Sequence, residues 1–191
     1  MQHNSFGYLK RLSVWRCDNV VHVIPSHLHS CFHNLEELDV WGCINARVIF
    51  NINDENRFTK ASGISRLKKL SLDALRNLEH VWDKDPEGII GLKMLQEVRV
   101  SRCQCLESLF PASVAKDLTR LQVLEVIKCW KLAEIFKKVR EGEGTTQESV
   151  ESVFPCLTTL TLYQLPDLKY SIHCSKKEVI LTTLPLRPFK I

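Results

Sequence analysis

The sequence predicts an α/β solenoid: a curved stack of about six short parallel strands, with irregular or helical return segments behind them. Two observations carry that prediction. The pattern L-x-x-L-x-L-x-x-C-x-x-L recurs from Leu9, Leu35, Leu67, Leu95, Leu121 and Leu157, and self-similarity at a period of roughly 20–50 residues marks stacked repeats. Within each copy, apolar residues alternate over a few positions, which is the period of a strand with one buried face.

The copies align column by column. The fourth and sixth positions are Leu12/Val14, Leu38/Val40, Leu70/Leu72, Val98/Val100, Leu124/Val126 and Leu160/Leu162. The ninth is Cys17, Cys43, Leu75, Cys103, Cys129 and Leu165, and the sixteenth is Ile24, Phe50, Trp82, Phe110, Phe136 and Ile172. One such repeat is too small to bury its own apolar face, so neighbours must stack into one core. The strands then line a concave parallel sheet, and the return segments form the convex side of a leucine-rich-repeat arc. In the fourth copy Pro111 opens a return segment in which Val114, Leu118 and Leu121 follow at helical spacing.

Residues 1–172 make one repeat domain, with polar insertions at 51–63 and 137–152 that read as solvated loops, the second a mobile one. Residues 173–191 depart from the pattern and are assigned as an irregular C-terminal tail. A terminal strand or the remnant of a truncated reading frame are the alternatives. Leu9 opens the first repeat without an obvious polar cap, as in a fragment of a longer chain.

Hydrophobic content of 45% and charged content of 25% suit a folded soluble protein, and a net charge of +4 is too small to imply a nucleic-acid partner. No run approaches the ~18 apolar residues of a membrane span. The first residues, MQHNSFGYLKRL, lack the long apolar stretch of a signal peptide.

The ninth-column cysteines Cys17, Cys43, Cys103 and Cys129 read as small apolar groups turned into the core, because leucine replaces them at 75 and 165. Cys31, Cys105, Cys156 and Cys174 show no paired framework, which favours a reducing compartment. A rival signal is the run from His27 to His33, with His29, Cys31, and Cys17 and His22 upstream. Imidazole and thiolate are zinc ligands, and His29 and His33 would share a helix face. Leu28, Phe32 and Leu35, however, form the apolar stripe a docked helix needs. The preferred reading therefore puts the histidines at the surface beside that stripe and assigns no metal. No phosphate loop, nucleophile elbow or H-E-x-x-H motif is present, so neither an enzyme nor a cofactor is indicated.

Binding is expected on the solvent face of the strands, at the third, fifth, seventh and eighth positions. From these, Trp15, Arg16, Asp39, Trp41, Asp73, Arg99, Arg102, Ile127, Lys128 and Tyr163 are the candidate protein-binding residues. Over all those positions six basic residues meet five acidic ones, a near-neutral balance that favours a protein partner over nucleic acid. Trp15, Trp41 and Tyr163 have the character of interface hot spots, with lateral stacking of Trp15 on Trp41 as the purely structural alternative.

The segments LEELDVWGC, LQEVRVSRCQCLESLFP and LQVLEVIKCWKLAEIF resemble the repeat region of plant coiled-coil, nucleotide-binding, leucine-rich-repeat disease-resistance proteins. The resemblance implies a cytoplasmic recognition module that senses a pathogen effector or a guarded host protein. It also implies contacts that restrain a nucleotide-binding module, which this sequence lacks. The alternative is the substrate-recruiting part of an F-box ubiquitin-ligase adaptor. A secreted receptor ectodomain is disfavoured by the absence of a signal peptide, N-x-[ST] sequons and paired cysteines.

Overall fold

The computed structural model describes residues 6–52, 64–86, 90–136 and 154–169, together with the backbone of 179–182. Apart from Asn51 and Ile52, both expected insertion loops lie outside these residues.

Strands are numbered β1 to β12 in chain order. The main sheet takes one five-residue strand from each copy: β1 (Arg11–Trp15), β3 (Glu37–Trp41), β5 (Lys69–Asp73), β7 (Glu97–Ser101), β9 (Val123–Ile127) and β11 (Thr159–Tyr163). All pair in parallel and in register, so that Leu12 sits beside Leu38, Leu70 beside Val98, and Leu124 beside Leu160. The sequence columns are therefore physical rows crossing the sheet. A seventh strand, β12 (Val179–Thr182), pairs in parallel with β11. The stretch read as an irregular tail thus carries a strand, the alternative reading of its VILT segment.

The return segments differ from a purely helical or irregular back. They begin with three-residue strands: β2 (His22–Ile24), β4 (Val48–Phe50) and β6 (His80–Trp82) form one small parallel sheet. β8 (Ser108–Phe110) and β10 (Glu134–Phe136) form another. Helical turns follow in the first and fourth copies. In the fourth, α1 (Ala112–Asp117) starts after Pro111 and buries Val114 and Ala115. One of its N-terminal backbone donors is met from the preceding repeat, where Asp85 accepts hydrogen bonds from the Ser113 N–H and from its Oγ–H.

Backbone contacts between repeats follow one rule. The second-position carbonyl accepts two N–H groups of the next copy: Lys10 from Glu36 and Glu37, Glu36 from Lys68 and Lys69, and Lys68 from Gln96 and Glu97. At the other end of each strand the eighth residue turns left-handed, with φ of 50° at Arg16, 67° at Gly42, 54° at Ala74, 55° at Arg102, 56° at Lys128 and 54° at Gln164. That turn directs the eighth N–H to the seventh carbonyl of the next copy, as from Arg16 to Trp41 and from Lys128 to Tyr163. Glycine occupies this row once, so five L-residues carry the left-handed strain.

The core is continuous. Leu38, Val40, Leu70, Leu72, Val98, Val100, Leu124 and Val126 are all at most 1% exposed. Sixteenth-column rings stack into a spine running Phe50, Trp82 and Phe110 at centroid spacings of 5.4 and 5.9 Å, joined by Phe154 at 6.1 Å from Phe110. Cys43, Cys103 and Cys129 are fully buried, and each thiol donates to a carbonyl two residues back. The hydrogen bond with Cys129, then burial, push the Cys103 thiol well up from its ordinary value, and burial raises that of Cys43.

Two expectations are corrected. Cys17 is exposed rather than buried, because β1 is the first strand of the sheet and no repeat among the described residues covers its outer side. His29 is buried, not at the surface. Residues Ser26–Phe32 form a 3₁₀ helix, and at three residues per turn His29 shares its inward face with Phe32 instead of flanking an α-helical stripe. Neither His29 ring nitrogen makes a hydrogen bond of ordinary geometry among the described residues, and burial lowers its pKa. No group of three or more metal-ligating side chains occurs among the described residues.

Candidate functional site

Because side chains alternate across a strand, burying the fourth and sixth positions turns the third, fifth and seventh to solvent. All ten candidate binding residues lie on this solvent face or at its eighth-position rim, and they form local groups. Trp15, 62% exposed, donates from Nε1 to Oδ2 of Asp39 at 3.4 Å. Trp41 is covered by the guanidinium of Arg16, 5.0 Å from the ring centre. The two indoles are register partners, yet each engages a charged side chain; they do not stack on one another.

Further along the sheet, Asp73 accepts hydrogen bonds from both Ser101 and Arg102. Arg99 bonds Glu97 at 2.6 Å and lies 3.7 Å from Glu125. On β9 and β11 Ile127 and Tyr163 are register partners, and Lys128 is exposed beside them.

Sequence reasoning left Arg11, Glu37, Lys69 and Glu97 off the shortlist, although they form the third-position row and alternate in sign. Arg11 Nε bonds Glu37 at 2.5 Å, and Lys69 lies 3.8 Å from Glu97. With Trp15, Asp39, Ser71 and Arg99 they line a groove of about 420 Å³. The hydrogen bond from Arg11 holds the Glu37 carboxyl below its ordinary value, and the same bond raises Arg11. In the second-position row Lys68 does the same for Glu36 at 2.7 Å, with Lys10 adding a longer contact. The sign alternation was the readable signal; its meaning depended on the in-register pairing.

The face is therefore largely self-neutralised over β1, β3, β5 and β7, and carries Val123, Ile127, Thr159, Thr161 and Tyr163 on β9 and β11. It offers aromatic, apolar and hydroxyl groups among charges most of which already have partners, with Lys128 exposed and without an ion pair among the described residues. Such a surface suits non-covalent recognition of another protein.

The family described as plant disease resistance protein RPS2-like, leucine-rich repeats, matches residues 1–130 of the 191. No curated protein and no solved structure matches the chain. With two thirds of its length matched, the chain belongs to the leucine-rich-repeat family of RPS2-like plant disease-resistance proteins.

Proposed function

We propose that this chain is the recognition module of an intracellular plant immune receptor, and that its sheet face grips a pathogen effector or a guarded host protein. Family membership makes it a protein-interaction repeat of the disease-resistance class. The observation that supports the specific face is the setting of Trp15, Trp41 and Tyr163 on a strip where Arg11–Glu37, Lys69–Glu97, Arg99–Glu97 and Arg102–Asp73 pair most of the charge. A partner meeting it displaces water from aromatic groups while stripping few lone charges of solvent, which keeps the desolvation cost low. The same face, or its rim, makes the contacts that restrain a nucleotide-binding module in a complete cytoplasmic receptor.

The test is affinity capture from pathogen-challenged plant tissue with the wild-type chain, a Trp15→Ala/Tyr163→Ala variant and an exposed control outside the ten candidate residues, Lys131→Ala. A partner retained by wild type and control but lost with the double variant supports the reading. Because the face is self-neutralised, capture should persist from 50 to about 300 mM salt, where exposed-charge contacts are screened. Retention by all three chains, or elution at moderate salt, counts against this face.

A further inference from the structure

Of the five acids on the solvent face of the main sheet, four are paired: Glu37 with Arg11, Asp73 with Arg102, Glu97 with Lys69 and Arg99, and Glu125 with Arg99. The fifth, Asp39, meets no cation among the described residues. Its Oδ2 accepts a long bond from the neutral Trp15 indole at 3.4 Å, and its Oδ1 has no partner there. Asp39 lies on β3, with a described strand on each side and Ser13 and Ser71 as its register partners. Both neighbours are short, which opens the groove of about 420 Å³ above the half-buried carboxylate. Neither serine hydroxyl has a hydrogen-bond partner among the described residues.

The other ionised groups lining the groove are engaged among themselves, and Arg16 lies over Trp41 instead of pairing with a carboxylate. The charge left over in the groove is therefore negative, and it is complemented by a cation. The hydroxyls beside it ask for a cation with several N–H donors. Strands lie about 4.8 Å apart, a span that the planar fork of a guanidinium bridges, bonding the carboxylate and an adjacent hydroxyl together. Arginine is also more weakly hydrated than an ammonium group, so entering a partly enclosed groove costs it less than it costs lysine.

We infer that Asp39 and Ser71 anchor an arginine side chain of the protein partner, a role that rests on the sheet face being the binding surface. The guanidinium bonds Oδ1 of Asp39 and the Ser71 hydroxyl, and its charge completes the pairing that the other acids of the face already have. A partner without arginine at that place leaves Asp39 desolvated and unpaired, so the anchor selects as well as binds.

The experiment titrates the Nα-acetyl amides of arginine, lysine and citrulline into the full 191-residue chain. Nuclear magnetic resonance follows the Trp15 indole N–H, which bonds Asp39 and so reports on it directly. The arginine amide is expected to shift that resonance saturably, the lysine amide more weakly, and the neutral citrulline amide not at all. Asp39→Asn keeps the shape and an acceptor for Trp15. It should leave the melting temperature in place and weaken the arginine amide roughly tenfold, the scale of one charge-assisted hydrogen bond. Ser71→Ala should narrow the gap between arginine and lysine. No saturable arginine shift, an equal response to lysine or citrulline, or an unchanged affinity in Asp39→Asn would each overturn the anchor. In the capture assay, a partner lost with Trp15→Ala/Tyr163→Ala but fully held by Asp39→Asn refutes the anchor and leaves the face standing. Arginine binding with capture insensitive to Trp15→Ala/Tyr163→Ala refutes the face instead.

Discussion

The guanidinium of Arg16 lies 5.0 Å from the centre of the Trp41 ring, so the last residue of one repeat's strand turn roofs the aromatic of the next. Exposed cation–π contacts are worth about 0.5–1 kcal/mol. Trp41→Ala removes that contact and a half-buried ring, but opens no core cavity. The expected cost is roughly 1–2 kcal/mol, with the fold retained and partner capture reduced far more than stability. Circular dichroism melting beside the capture assay checks it. A stability loss larger than that of a core deletion would make Trp41 a packing residue alone.

Leu124 is that core reference. It is fully buried between Val98 and Leu160 in one row of the sheet. Leu124→Ala leaves a void that both neighbouring repeats border, and the expected cost is about 2–5 kcal/mol. Urea unfolding should show a lower midpoint with little change in slope. A loss under about 1 kcal/mol would mean that the stack closes around the gap.

These contrasts mark what the columns alone could carry. Leu124 was readable because a repeat places identical environments at identical positions. Cys17 and Cys43 share a column and differ in burial, since among the described residues Cys43 has a repeat on both sides and Cys17 on one only; such a difference is invisible to a pattern that treats copies alike. His29 was misplaced because α-helical and 3₁₀ turns put different residues on the inward face, and a seven-residue segment is too short to reveal which it uses. The ion pairs of Arg11 with Glu37 and Lys69 with Glu97 were latent in the third column, but the in-register pairing was required to turn a sign alternation into contacts.

The eighth-position row gives a prediction opposite to the usual cost of glycine. Ala74 holds φ 54° at a strand end, where an L-residue is strained by about 1–2 kcal/mol. Ala74→Gly relieves that strain and returns roughly 0.5–1 kcal/mol through the greater freedom of the unfolded chain. The net expectation is a gain of a few tenths to about 1 kcal/mol. The control is Ala115→Gly inside α1, which should lose about 1 kcal/mol. If both substitutions destabilise alike in thermal melts, left-handed strain does not limit this turn.

His29 makes acid stability a test of the buried imidazole. Its ring is 4% exposed, neither nitrogen makes a hydrogen bond of ordinary geometry among the described residues, and burial lowers its pKa below the ordinary 6.5 against the opposing pull of the Ile24 backbone and the Asp83 charge. The unfolded chain therefore takes up a proton first as pH falls, so stability is lost from about pH 6.5 downward to the depressed folded value. Glu36 and Glu37 act lower on the scale. Their folded values are depressed by Lys68 and Arg11, so what they contribute is present above the unfolded carboxylate value of about 4.3 and is lost as pH falls through the folded ones. His29→Leu removes an unpaired polar group at similar volume and should raise stability by about 1–3 kcal/mol at pH 8. The gain should be larger at pH 5.5, because the first acid loss disappears while the carboxylate loss remains. Chemical denaturation at pH 8, 5.5 and 4 distinguishes the two. A gain independent of pH would show that His29 does not remain neutral in the folded chain.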